Sequence, residues 1–215
     1  MNLKAFIFDM DGVMLDSEPL QLRSFNKILE RFNVSVSMSD FKKNYMGIRD
    51  TQICEKMISD FKLPIGAEEF VNGKRNAYLD VVLEEDISPT EGLIDAVNAL
   101  YEILPLGIAS SSQIKEIEMI TMKFGIRDRF KVLVSAHQVP NGKPAPDVYL
   151  KASAMLEVGP SLCGAIEDTK TGIESAKAAG MRCIAITTTH TTEELSEADK
   201  VISSFDQLPG VVQDL

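Results

Sequence analysis

The apolar run Ala5–Phe8 reads as a buried β-strand, yet no second run of its kind follows until residues 106–109. From there the rhythm is regular. Further strand-like runs occupy 132–134, 164–166, 183–186 and 201–202, short and rich in β-branched and small residues. Helical patterns lie between them: Ile114, Ile117, Ile120 and Phe124 step by three or four, as one helix face does. Val148, Ala152 and Met155 do the same, and so do Ile173, Ala176 and Ala179. Gly125, Gly159 and Gly180 stand where helix ends favour a left-handed residue. Strands alternating with single helices predict an α/β fold, with a parallel sheet flanked by helices on both faces.

The long interval after the first strand is helical. Phe25, Ile28, Leu29 and Phe32 make one apolar stripe, Ile53, Met57 and Phe61 a second, and the stretch from Phe70 to Val82 a third. No strand candidate interrupts them, so residues 16–88 are expected to form an all-helical insertion in a core of 1–15 and 89–215. Glu84-Glu85-Asp86, then Pro89 and Gly92, mark the return as a linker or hinge.

Composition removes several function classes. The 215 residues carry 22 Lys+Arg against 32 Asp+Glu, a net charge of −10. That excess argues against a nucleic-acid backbone binder, which needs clustered cations to displace counterions, and against a polybasic membrane-surface protein. No run approaches the ~18 apolar residues of a membrane span, and the N-terminal apolar run is too short for a signal peptide. Cys54, Cys163 and Cys183 lie far apart without a CxxC pair, as buried thiols in a reducing compartment do. A cytoplasmic protein is expected. Its scattered Met and Phe residues fit ordinary core packing, so a monomer is expected too.

In open parallel sheets, ligands collect outside the carboxyl ends of the strands. The first strand here ends in Asp9-Met10-Asp11-Gly12 and the second in Ala109-Ser110-Ser111-Ser112. Gly142-Lys143-Pro144 follows the third, and Glu167-Asp168 ends the fourth. Taken singly, each has a plain explanation. An Asp-x-Asp pair makes turns, a serine caps the next helix, Lys143 can be a solvated loop residue, and Glu167-Asp168 can complement a helix dipole. Independent explanations would not place all four at the same end of successive strands. Four converging carboxylates, Asp9, Asp11, Glu167 and Asp168, call for a bound cation. Oxygen donors without His or Cys favour Mg²⁺ over zinc.

Other chemistries fail on spacing. A cysteine phosphatase places Arg six residues after its nucleophile, where this chain has Asp60, Thr169 and Thr189. Neither GxGxxG nor GxxxxGK[ST] occurs, and His137 and His190 have no nucleophile motif around them.

The motifs Phe8-Asp9-Met10-Asp11-Gly12-Val13, Asp16-Ser17-Glu18-Pro19, Ala109-Ser110-Ser111-Ser112, Gly142-Lys143-Pro144-Ala145-Pro146-Asp147 and Ile166-Glu167-Asp168-Thr169 running to Gly172 together resemble the haloacid dehalogenase-like superfamily. Within it the chain is similar to the β-phosphoglucomutase-like and sugar-phosphate phosphatase branch, across essentially its whole length. The resemblance implies a Rossmann-like core with a helical cap inserted after the first strand, and Asp11 points to phosphoryl transfer rather than dehalogenation. It implies Asp9 as nucleophile forming an aspartyl-phosphate and Asp11 as general acid and base. Ser110, Ser111 and Lys143 would bind phosphate. Mg²⁺ would be held by Asp9, Asp11 and Asp168, with Glu167 as ligand or neighbour. In the cap it singles out Gln21, where the mutases carry a histidine, together with Gly47, Arg49 and Lys74; a solvated helix face is the plain alternative for the two cations. The expectation is a Mg²⁺-dependent phosphatase acting on a small phosphorylated metabolite, a sugar phosphate. β-Phosphoglucomutase activity is the alternative. A non-enzymatic receiver-type phospho-switch is remote, because receivers carry their acceptor on the third strand and have no insertion.

Overall fold

The computed structural model describes residues 3–45 and 50–215. The chain forms two compact units, one of Met1–Asp16 with Ser88–Leu215 and the other of Ser17–Ile87.

The first unit is built on a six-stranded sheet: β1 (Ala5–Phe8), β2 (Leu106–Ser110), β3 (Phe130–Ser135), β4 (Cys163–Glu167), β5 (Arg182–Ile186) and β6 (Lys200–Ile202). All pairings are parallel and the order is β3-β2-β1-β4-β5-β6. Strands covered on both faces are largely apolar, and every residue of β1, β2 and β4 is buried, Ser110 and Glu167 at the carboxyl ends included. β3 starts at Phe130, earlier than the apolar run at 132–134 indicates. The exposed Lys131 splits that run in an edge strand whose remaining residues are buried.

From β1 the chain winds outward through β2 and β3, then returns to β4 on the other side of β1. β1 and β4 are paired in register, Ala5 beside Cys163 and Phe8 beside Ile166. This is the point where strand order reverses and a crevice opens at the carboxyl ends.

Two helical details depart from the sequence reading. The helix over Asp147–Leu156 turns Val148, Tyr149, Ala152 and Leu156 inward and leaves Met155 46% exposed, so the buried face closes at Leu156. Its left-handed residue is Glu157 (φ 61), not Gly159, whose φ is −60. Val158 packs against the core and its N–H reaches Ser153 O at 3.2 Å, so the capping turn must fall directly after Leu156. Gly125 and Gly180 do take positive φ, 70 and 82. A helix that the periodicity reading does not name, Leu93–Tyr101, follows directly after the stretch read as a linker and buries Leu93, Ala96, Val97 and Leu100.

The second unit comprises, among the described residues, helices α1 (Glu18–Leu29), α2 (Met38–Asn44), α3 (Asp50–Phe61) and α4 (Ala67–Glu84). Pro19 opens α1, where a missing N–H costs nothing. The Ser37 side chain caps α2 by accepting from Asp40 N at 3.1 Å. Phe25, Leu29, Phe41, Cys54, Met57 and Phe70 are buried in a core of their own. Each large side chain among them contributes about 2 kcal/mol by leaving water. α2 shows no periodicity because it buries only Phe41.

No helix among the described residues is long and apolar enough to cross a membrane. The three cysteines are buried and unpaired.

Candidate active site

The acidic residues meet where β1 and β4 run side by side. Asp9 directly follows β1, and its N–H donates to Ile166 O at 3.1 Å. The chain then turns through Gly12 at φ 79, and a Cβ there would lie 2.0 Å from Asp168 Oδ2. Glycine is therefore required twice over, by conformation and by proximity. In the first turn of the helix Lys170–Ala178, a Cβ on Gly172 would come within 1.9 Å of the Glu167 carboxyl. Both acidic side chains of the Glu167-Asp168 pair thus lie against bare glycine backbone.

Lys143 ties the cluster together from 134 residues away: its Nζ lies 2.5 Å from Asp9 Oδ1 and 2.5 Å from Glu167 Oε1. The Tyr149 hydroxyl donates to the same Glu167 oxygen at 2.7 Å, and the ammonium sits 5.0 Å from the Tyr149 ring centre. Glu167 Oε2 accepts from Asp168 N at 3.3 Å and Thr169 Oγ1 at 3.5 Å. Asp11 is held from another side: Ser112 Oγ donates to its Oδ2 at 2.6 Å and Ser110 Oγ at 3.3 Å. Ser110 is buried and accepts from Ser112 N at 3.0 Å, while Ser111 is exposed. None of the three serines caps the next helix, Ile114–Lys123. Gln113 occupies that position, its N–H donating to Glu116 Oε2 at 2.9 Å.

Electrostatics follow from burial. Removal from water pushes the Asp9 carboxyl well above the ordinary carboxylate range, Lys143 opposes the shift, and Glu167, Asp168 and Asp11 add to it. Asp168 is pushed up to about 7, by burial first and then by Glu167. For Lys143 burial alone would favour the neutral amine, but the Asp9 and Glu167 carboxylates together hold it above the usual lysine range. Burial also raises the Tyr149 phenol, helped by Glu167, so it stays a donor.

These residues suit a hard divalent cation. Asp9, Glu167 and Asp168 each offer a carboxylate oxygen within 4.8 Å of the others, and all three are buried. Asp11 Oδ1 and Asp168 Oδ1 are buried with no hydrogen-bond partner, the state of a ligand or proton-transfer group awaiting its counterpart. Lys143 is the one cation bonded to the cluster among the described residues, and it already serves two carboxylates.

A family model described as haloacid dehalogenase-like hydrolase matches residues 6–186. The chain belongs to that family. It is 32% identical over 193 residues to hexitol phosphatase B of Escherichia coli, covering 86% of this chain and 84% of that one. It is 28% identical over 193 residues to the beta-phosphoglucomutase of Bacillus subtilis, covering 86% and 83%. Among solved structures, CbbY from Rhodobacter sphaeroides in complex with phosphate superposes with a TM-score of 0.86, covering 99% of this chain and 100% of that one. At 24% identity that likeness shows the fold alone. Membership in a hydrolase family decides against the receiver-type switch.

Of the positions singled out in the helical unit of this haloacid dehalogenase-like chain, Gly47 and Arg49 lie outside the described residues. Lys74 is not on a solvated face. It is 2% exposed, its ammonium donates to Gln21 Oε1 and Asp50 Oδ2, and it lies 5.2 Å and 5.3 Å from the Phe25 and Tyr78 ring centres. Sequence reasoning did not single out Tyr149, Ser112 or Thr189. Thr189 donates to Asp168 Oδ2 at 2.6 Å. It follows β5 closely, so the strand-end rule extended to the fifth strand points to it.

Proposed function

We propose that this chain is a Mg²⁺-dependent phosphatase that hydrolyses a small phosphorylated metabolite, a sugar phosphate, through an aspartyl-phosphate on Asp9. The observation that carries the reading is the pairing of Asp9 with Lys143 at 2.5 Å beside Asp11, whose Oδ1 has no protein partner.

Asp9 attacks phosphorus, and the bond from phosphorus to the leaving oxygen breaks as Asp11 donates its proton to that oxygen. Asp11, now ionised, takes a proton from water. The water oxygen attacks phosphorus, the bond to Asp9 breaks and inorganic phosphate leaves. Lys143, Ser110 and Ser111 supply donors to the non-bridging oxygens, where transition-state charge is spread. Asp9, Asp168 and the Asp11 main chain, with Glu167 beside them, would hold Mg²⁺, which would supply positive charge to offset the repulsion between carboxylate and phosphate.

The helical unit serves as the cap that selects the substrate. Phosphomutase activity is the second reading, supported by the relative from Bacillus subtilis. Gln21 favours hydrolysis, because it stands where the resemblance places the mutase histidine. Its amide carries no titratable proton, and its Oε1 is occupied by Lys74.

The test is a panel of phosphorylated sugars with Mg²⁺ or with chelator, scoring free phosphate and isomerised sugar phosphate separately. Phosphate release that chelator abolishes is expected. Interconversion of 1- and 6-phosphates without release would assign the mutase.

A further inference from the structure

We propose that Thr189 is a positioning residue for the metal site, fixing the Asp168 carboxylate so that Oδ1 is the oxygen offered to a divalent cation. The proposal rests on the metal-dependent reading above and adds to it a residue from outside the motifs that carry the family resemblance.

The segment after β5 is anchored before it reaches the site, since Thr187 N donates to Ile202 O at 3.0 Å. The next two residues grip opposite sides of the acidic cluster. The Thr188 hydroxyl donates to the Gly12 carbonyl in the turn that follows Asp11. The Thr189 hydroxyl lies 2.6 Å from Asp168 Oδ2. Its methyl carbon would sit 3.0 Å from a Cβ at Gly12, so the side chain packs into the space that glycine leaves.

The direction of the hydroxyl proton follows from His190. His190 Nδ1 lies 3.0 Å from the Asp168 carbonyl oxygen and 2.8 Å from Thr189 Oγ1. A carbonyl oxygen only accepts, so Nδ1 carries the proton and Thr189 Oγ1 receives part of it. The single proton of Thr189 must then point elsewhere. Between the Asp168 carbonyl at 3.1 Å and the charged Oδ2 at 2.6 Å, the carboxylate is nearer and the stronger acceptor. Oδ2 is thereby tied, while Oδ1 of the same group is buried with no partner. A carboxylate held by one oxygen cannot swing about its terminal bond, so the bare oxygen keeps one direction. Partners that orient metal ligands in this way commonly change affinity by about 10- to 100-fold when removed.

The experiment compares wild type with Thr189→Val, which keeps shape and loses the donor, and Thr189→Ser, which keeps the donor. Thr189 is exposed, so neither change disturbs a core. Chelator-stripped full-length protein is titrated with Mg²⁺ by calorimetry, and the melting temperature is measured in chelator. The expected result is Mg²⁺ affinity about tenfold weaker in Thr189→Val and within about twofold of wild type in Thr189→Ser, with melting temperatures in chelator unchanged. Wild-type affinity in Thr189→Val, or equal weakening in both variants, would overturn the proposal. Failure of the wild-type protein to bind Mg²⁺ would take down the metal reading itself, and this proposal with it.

Discussion

The Ser112 hydroxyl donates to Asp11 Oδ2 at 2.6 Å, leaving Oδ1 as the carboxylate oxygen without a protein partner. If Asp11 is the acid and base of the proposed mechanism, the bond sets which edge of its carboxyl exchanges protons with the reacting group. Ser112→Ala should therefore lower kcat about tenfold and leave KM within about twofold, since the orientation of an acid–base group is lost and no substrate contact is. Steady-state kinetics on one good substrate checks this. A raised KM at unchanged kcat would place Ser112 in substrate binding instead.

Asp9→Asn keeps an oxygen for Lys143 to bond and removes the proposed nucleophile. Turnover should fall by a factor on the order of 10³ or more. The circular dichroism spectrum and melting temperature should stay near wild type. Phosphate release at the wild-type rate would rule Asp9 out as the phosphoryl acceptor.

Lys143→Met leaves Asp9 and Glu167 buried without their shared cation. Removing one partner of a buried ion pair costs about 3 kcal/mol or more. Urea unfolding in chelator should show that loss together with loss of activity, and a change below about 1 kcal/mol would mean that the pairs contribute little.

The acidic cluster should make the proposed metal binding pH-dependent. The Asp168 carboxyl is raised to about 7 in the folded protein, by burial and by Glu167, against about 3.9 in the unfolded chain. A raised carboxyl favours the protonated fold, so metal-free stability should fall as pH rises from about 4 to about 7 and then level off. Asp9, raised for the same reasons despite Lys143, acts in the same direction. On the proposed reading Mg²⁺ binds the ionised form, so its stabilising effect should grow over that window. Melting temperatures with Mg²⁺ and with chelator, from pH 5 to 8.5, measure both trends. A Mg²⁺ effect flat across that range would contradict the assignment.

The sheet was legible because strands buried on both faces read as unbroken apolar runs, and the acidic motifs because each ends such a run. α2 carries no such signal, since only Phe41 of its seven residues is buried. The helix Leu93–Tyr101 does repeat at three and four residues, but Pro89 and Gly92 just before it read as a hinge and mask it. The Glu167 cage was not legible. That Tyr149 reaches Glu167 depends on the helix Asp147–Leu156 turning its buried face toward the end of β4, an arrangement no spacing encodes. Lys74 is the opposite case: the resemblance singles it out and its charge allows a solvated face as the alternative, whereas two aromatic rings, Gln21 and Asp50 surround it.

The sheet's central strand also sets an order of assembly. β1 pairs with Leu106–Ser110 along one edge and with Cys163–Glu167 along the other. It is synthesised first among the strands, yet a growing chain that has not reached Glu167 leaves a full edge of Ala5–Phe8 without hydrogen-bond partners. The helical unit between β1 and β2 closes its own apolar core from near neighbours and need not wait. The same pairing that brings Asp9 beside Glu167 therefore delays the active site until the chain has been made through Glu167.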